Sequence, residues 1–155
     1  MGKLRNDNSG AATELGYVFT FMLGVVLLSM FSVWAYDIET ATRERWNEQA
    51  IDDNMNRIAS AIERADRSSR VVENCSYAEP VHLTPLEAST STLKIRLDER
   101  QIVLDDSANN YDRTVQLSAA GLATHQGEIS LSGVDTIWVV HKDNVTKITT
   151  QHPGW

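Results

Sequence analysis

Residues 15–36 read LGYVFTFMLGVVLLSMFSVWAY, 22 residues without a single charge. As a helix rising 1.5 Å per residue, this stretch covers roughly 33 Å, about one hydrocarbon core. A soluble core helix seldom avoids every charge for so long. The stretch therefore predicts a membrane span that opens at Leu15, closes at Tyr36 and centres on Val25 and Val26. Tyr17, Trp34 and Tyr36 stand near its ends, where amphipathic rings favour the membrane interface. Gly16 and Gly24 are not four residues apart, so the usual small-residue pairing motif is absent.

A cleavable secretory signal is the rival reading. Its apolar region would run about 7–15 residues and end in a small-x-small cleavage site. Here the apolar run is longer, and Val33-Trp34-Ala35 is a poor cleavage site. Asp7 and Glu14 also dilute the basic region that such a signal needs. A retained anchor is the better expectation, with the N-terminus cytoplasmic and the long C-terminal region outside.

The helical signal continues past Tyr36. Residues 37–70 contain no Gly and no Pro, and Ile51, Met55, Ile58, Ile62 and Ala65 are spaced 4, 3, 4, 3, one apolar stripe. Ile38 and Trp46 extend that stripe less regularly, and Arg, Glu and Asp fill the other faces. One continuous helix from about residue 12 to residue 68 is expected, apolar all round in its first half and on one side in its second. The stripe needs a cover: either the C-terminal region of the same chain or a neighbouring subunit.

Beyond residue 70 the texture changes to short alternating runs. Leu93-Lys94-Ile95-Arg96-Leu97 has the period of a half-exposed strand. Residues 101–104, 111–117, 128–131, 136–140 and 145–150 read as further strands, with one more around Val81-His82-Leu83. Turns are expected at residues 98–100, at Asn109-Asn110 and at Lys142-Asp143-Asn144. The fold class is thus α+β: a long N-terminal helix packed on a small antiparallel sheet of five or six strands. Four segments result: a polar leader at 1–10, the transmembrane helix at 11–36, its amphipathic extension at 37–70 and a β head at 71–155.

The whole chain has 155 residues, a net charge of −7 and pI ≈ 5.0. Ten Arg and four Lys face 11 Asp and 10 Glu. An acidic balance argues against nucleic acid as a partner, because phosphate binding needs clustered cations. An acidic, Lys-poor surface fits work in high salt and hints at a halophile. A lone cysteine, Cys75, excludes an intrachain disulfide framework and a multi-cysteine zinc site.

The run Ser9-Gly10-Ala11-Ala12-Thr13-Glu14-Leu15-Gly16-Tyr17, leading into the uncharged span and then an amphipathic helix, resembles the type IV pilin superfamily, in particular archaeal, haloarchaeal pilin-like proteins. The resemblance implies a class III signal peptide. A membrane-embedded prepilin peptidase would cut between the polar leader and the apolar helix, leaving Ala11 as the new N-terminus. It also implies an assembly role for Glu14, paired with the freed α-amino group of a neighbouring subunit. Cleavage after Gly10 makes Glu14 the fourth mature residue and cleavage after Ser9 the fifth, the position many bacterial pilins give to glutamate. The chain departs from the family pattern at Ser9, where archaeal leaders often carry a basic residue, and at Thr13 and Glu14, which dilute the apolar start. The alternative reading of Glu14 is a solvated headgroup-layer carboxylate favoured by the helix dipole.

No H-E-x-x-H, G-x-S-x-G, Walker loop or G-x-G-x-x-G occurs, so no catalytic residue, metal ligand, cofactor or small-molecule substrate is expected. His82, His125, His141 and His152 lack partners at metal-ligand spacing and read as surface or turn residues. Asp105, Asp106 and Asp112 read as a solvated hairpin rather than a cation site. Trp138, inside an apolar strand, reads as core, while Trp46 and Trp155 are candidate contact residues. Asn74 and Asn144 head the two N-x-S/T sequons and are glycosylation candidates. Two function classes follow: a pilin-like structural subunit with membrane lipid and other pilin subunits as partners, or a single-pass membrane protein with a non-polymerising extracellular binding domain.

Overall fold

The computed structural model describes residues 8–71, 75–118 and 123–154, with residues 8–13 as backbone alone. The chain divides into two compact units, Met1–Arg43 and Glu44–Trp155. One helix, α1 (Asn8–Val71), contributes to both. It starts about four residues earlier than expected and ends three later. Ser9 and Gly10 both lie inside it. Near its C-terminal end the hydroxyls of Ser68 and Ser69 turn back and donate to the carbonyls of Ala65 and Asp66, each at 2.7 Å.

The second unit packs the C-terminal half of α1 on seven strands: β1 (Tyr77–His82), β2 (Leu93–Leu97), β3 (Gln101–Asp106), β4 (Arg113–Gln116), β5 (Thr124–Ser130), β6 (Thr136–Lys142) and β7 (Val145–Thr149). Their order is β1-β6-β7-β5-β2-β3-β4. The pairs are antiparallel except β5 with β7, which is parallel because β7 enters between β5 and β6. The long helix on a small, mostly antiparallel sheet is as expected, with seven strands rather than five or six. The one parallel pair goes beyond what alternation can tell, because alternation along a strand reports its buried face, not the direction of its neighbour. The β6–β7 turn is a two-residue hairpin with Asp143 and Asn144 at φ 51° and 62°, the type I′ geometry that Asp and Asn tolerate.

The expected stripe is the core. Ile51, Met55, Ile58, Ile62 and Ala65 are all buried, against Leu93, Ile95 and Leu97 of β2, Ile102 and Leu104 of β3, Ile129 of β5, Ile137 and Val139 of β6 and Ile148 of β7. Its cover is therefore the chain's own sheet. Ile38 and Trp46 do not extend it; they are 47% and 68% exposed. The stripe runs instead through Asn47, whose buried Oδ1 accepts the amide hydrogens of Glu87 and Ala88. Asn54 repeats the device one face-length on: it accepts from the Thr84 amide at 2.7 Å and donates to the Thr84 carbonyl at 2.9 Å. The loop between β1 and β2 is thus pinned to α1 by two side-chain amides that stand in for backbone partners.

Trp138 is not core. Ile137, Val139 and His141 take the inner face of β6, so Trp138 lies on the outer face, half-buried, with its ring edge-on to His152 at 4.5 Å.

β5 joins the two parts of the sheet. Its residues 124–126 pair with β7 and its residues 127–130 with β2. The change of partner falls at Gly127, φ 144°, where an added Cβ would meet Ile148 Cγ1 at 2.7 Å and Ile148 O at 3.0 Å. Gly127→Ala is expected to lose about 3 kcal/mol, from overpacking and backbone strain together. Urea unfolding of the full chain in detergent measures it; a loss under about 1 kcal/mol would show that β5 and β7 can separate freely there.

Candidate functional site

Among the described residues, the first unit presents apolar surface that no other side chain of that unit covers. Leu15 is 72% exposed, Val25 48%, Val26 54% and Tyr36 69%, and Phe19, Phe21, Leu28, Met30 and Phe31 are exposed to the same degree. This part of α1 is long and apolar enough to cross a membrane. The serine and threonine residues inside the span turn their donors back on the helix: Thr20 to Gly16 O at 2.9 Å, Ser29 to Val25 O at 2.8 Å and Ser32 to Leu28 O at 2.9 Å. Each hydroxyl then needs no partner from outside, the condition hydrocarbon imposes on polar groups.

Ser9, Gly10 and Ala11 lie in the first two turns of α1. Glu14 is exposed. It stands six residues inside the helix, and the first turn holds no acidic residue. The dipole therefore supplies little to Glu14, because that effect fades within the first turn. Asn74 lies outside the described residues. Asn144 is exposed at the β6–β7 turn. Its sequon partner Thr146 is fully buried with its hydroxyl engaged, so the threonine has a structural role of its own.

That engagement belongs to a cluster the histidine reading missed. His125 and His141 are not surface residues; they are 8% and 2% exposed. Register places His125 of β5 beside Thr146 of β7, and Thr146 beside His141 of β6. Asp66 of α1 lies over all three. Its Oδ2 is 2.8 Å from His125 Nε2, and its Oδ1 accepts from the Thr146 hydroxyl at 2.8 Å. His141 Nδ1 is 2.8 Å from Thr146 Oγ1, and His125 Nδ1 is 2.7 Å from the Glu99 carbonyl.

These contacts fix the protons. A carbonyl only accepts, so His125 Nδ1 carries a hydrogen. Burial pushes the Asp66 carboxyl up, yet hydrogen bonds from His125 and Thr146 prevail and hold it below its ordinary value. An ionised Asp66 only accepts, so His125 Nε2 donates as well and His125 is an imidazolium. Its hydrogen bond to Asp66 raises it above the ordinary histidine value, against the opposing pull of burial. Thr146 gives its hydrogen to Asp66 and receives one from His141 Nδ1. Burial lowers His141, which is neutral. The result is one oriented chain of donors converging on one carboxylate. With both His125 nitrogens donating, the ring has no lone pair with which to take up a proton.

A sequence signal exists for the burial of each of these residues, though not for their meeting. Asp66 is four residues beyond Ile62, on the buried stripe, and His141, Thr146 and His125 each fall two residues from, or two steps along, an inner-face apolar residue or Gly127. Among the described residues no group of three or more His, Cys, Asp and Glu could hold a metal ion. Asp106 is buried rather than solvated; its carboxylate accepts from the amides of Ala108 and Asn110 at 3.0 and 3.1 Å, and its own amide donates to Asp112 Oδ1 at 2.8 Å. These two aspartates organise the β3–β4 turn. A groove of about 570 Å³ between α1 and β1 carries Arg64, but Glu79 already holds that guanidinium with two hydrogen bonds at 2.6 and 3.0 Å. No family model matches this chain, and neither does any curated protein or solved structure.

Proposed function

We propose that this chain is a membrane-anchored, type IV pilin-like structural subunit of the cell envelope. The observation that carries the reading is the contrast between its two apolar surfaces. The stripe at residues 51–65 is covered by the chain's own sheet, whereas every large apolar side chain from Leu15 to Tyr36 is between 48% and 73% exposed. That much contiguous apolar surface needs lipid or other helices around it. In this reading the apolar helix sits in the bilayer with the head outside. A prepilin peptidase removes the leader at Ser9, Gly10 and Ala11, and the freed helix can move sideways from lipid into a helical assembly of identical subunits. Glu14 then meets the new α-amino group of a neighbour, which offsets the cost of a carboxylate among apolar helices.

The same contrast also favours a second reading. Because the 51–65 stripe is used up inside the head, it is no seam between subunits, and a single-pass protein with a non-polymerising binding head needs nothing further. The intact mass and N-terminal sequence of the protein from its native membrane separate the two. A start at Ala11 or Gly10 is the expected result. A start at Met1 or Gly2 would leave the anchored module and remove the special role of Glu14. Mass in excess of the polypeptide would reveal glycans on Asn74 or Asn144.

A further inference from the structure

The buried chain His141–Thr146–Asp66–His125 ties the last turns of α1 to three neighbouring strands, and it works only with its present complement of protons. His141 donates through Nδ1 to a hydroxyl whose own hydrogen is committed to Asp66. Asp66 has both oxygens occupied, one of them by the positively charged His125. We propose that this cluster is an acid-operated clasp: a second proton on His141 releases the C-terminal end of α1 from β5, β6 and β7 while the rest of the head stays folded.

The electrostatics support the direction. The groups that face His141 are Asp66 from α1, the imidazolium of His125 from β5, the hydroxyl of Thr146 from β7 and, opposite it in register on β1, Tyr77. The Tyr77 phenol donates to Glu79, which is itself paired with Arg64, so that carboxylate is already neutralised. Among the described residues only Asp66 carries negative charge toward His141, and it already serves His125. A second buried cation would therefore stand against His125 with no partner left. The sign follows. Burial depresses His141 in the folded protein below its ordinary 6.5, so its contribution to holding the clasp is fully present above pH 6.5. That contribution is lost as pH falls below 6.5 toward the depressed folded value, because the opened state takes up the proton. Asp66, itself depressed below 3.8, stays ionised through that window.

Hydrogen exchange of the full chain in detergent micelles, corrected for intrinsic rates, tests this between pH 7.5 and 5. The expected result is an at least tenfold loss of protection in peptides from residues 62–71, with peptides from β2 and β3 unchanged. His141→Asn, whose amide can still donate to Thr146, should abolish that loss. Flat protection in the wild type overturns the proposal, and so does an undiminished acid loss in His141→Asn. Should that variant not fold, the ring ¹⁵N shifts of His141 in the wild type decide: opening while His141 remains neutral sinks the clasp.

Discussion

Val25→Asp combined with Val26→Asp is expected to release the protein from the membrane that the proposed function places it in. Both valines stand at the centre of the uncharged run, about half exposed, with no side chain of their own unit enclosing them. An aspartate at the middle of a spanning helix costs about 2.5–3.5 kcal/mol, so one substitution weakens insertion by roughly 100-fold and two by roughly 10⁴-fold. Flotation of membranes on a density gradient reads the outcome without confusing aggregates with bilayer. The matched control is Val25→Thr with Val26→Thr, which keeps the side-chain shape. Its hydroxyls can bond the carbonyls four residues back, as Thr20 and Ser29 already do. The control should float with the membrane and the aspartate variant should stay at the bottom. Should the aspartate variant float as the wild type does, residues 15–36 are not a span, and the pilin-like reading goes with them.

What could be read from the sequence was what short-range periodicity encodes. The 4, 3, 4, 3 spacing marked the buried stripe because a helix brings those positions to one face, and all five residues are in the core. The alternation of residues 93–97 placed Leu93, Ile95 and Leu97 inward and Lys94 and Arg96 outward, as found. Periodicity says less where polar residues sit on a buried face. Asn47 displaced Trp46 from the stripe because it satisfies two loop amides, a contact between residues 40 and 41 apart in sequence. β1 begins at Tyr77, earlier than the apolar residues suggested, because Pro80 lies on an edge strand, where one ladder donor can be missing. The parallel β5–β7 pairing and the cluster around Asp66 depend on which strands become neighbours, and alternation within a strand carries no such information.

Asp66→Ala should cost about 3–5 kcal/mol, the range for removing one partner of a buried ion pair. Its side chain is 5% exposed and both oxygens are in use. Truncation would leave the Nε2–H of His125 and the Thr146 hydroxyl facing a void that neither can leave. Against a typical total of about 5–15 kcal/mol, a loss of that size takes roughly a fifth or more of the head's stability. The pH dependence has a definite sign. His125 is raised, so its share is complete below pH 6.5 and is lost as pH climbs through its folded value. Asp66 is lowered, so its share is complete above pH 3.8 and is lost as pH falls through its own folded value. Asp66 and His125 alone would make the difference between wild type and Asp66→Ala greatest between about pH 3.8 and 6.5, but the loss that His141 brings below pH 6.5 subtracts from it, so the difference peaks near pH 6.5 and shrinks on both sides. A double-mutant cycle with His125→Leu adds a second criterion: once the imidazolium is gone, losing the carboxylate should cost at least about 2 kcal/mol less than it does in the wild type. Urea unfolding of the full chain in detergent, followed by tryptophan fluorescence, supplies both numbers. A single-variant loss under about 1 kcal/mol, or strict additivity in the cycle, would mean that Asp66 and His125 are neighbours without being partners, and that α1 is held to the sheet by its apolar stripe and its surface ion pairs.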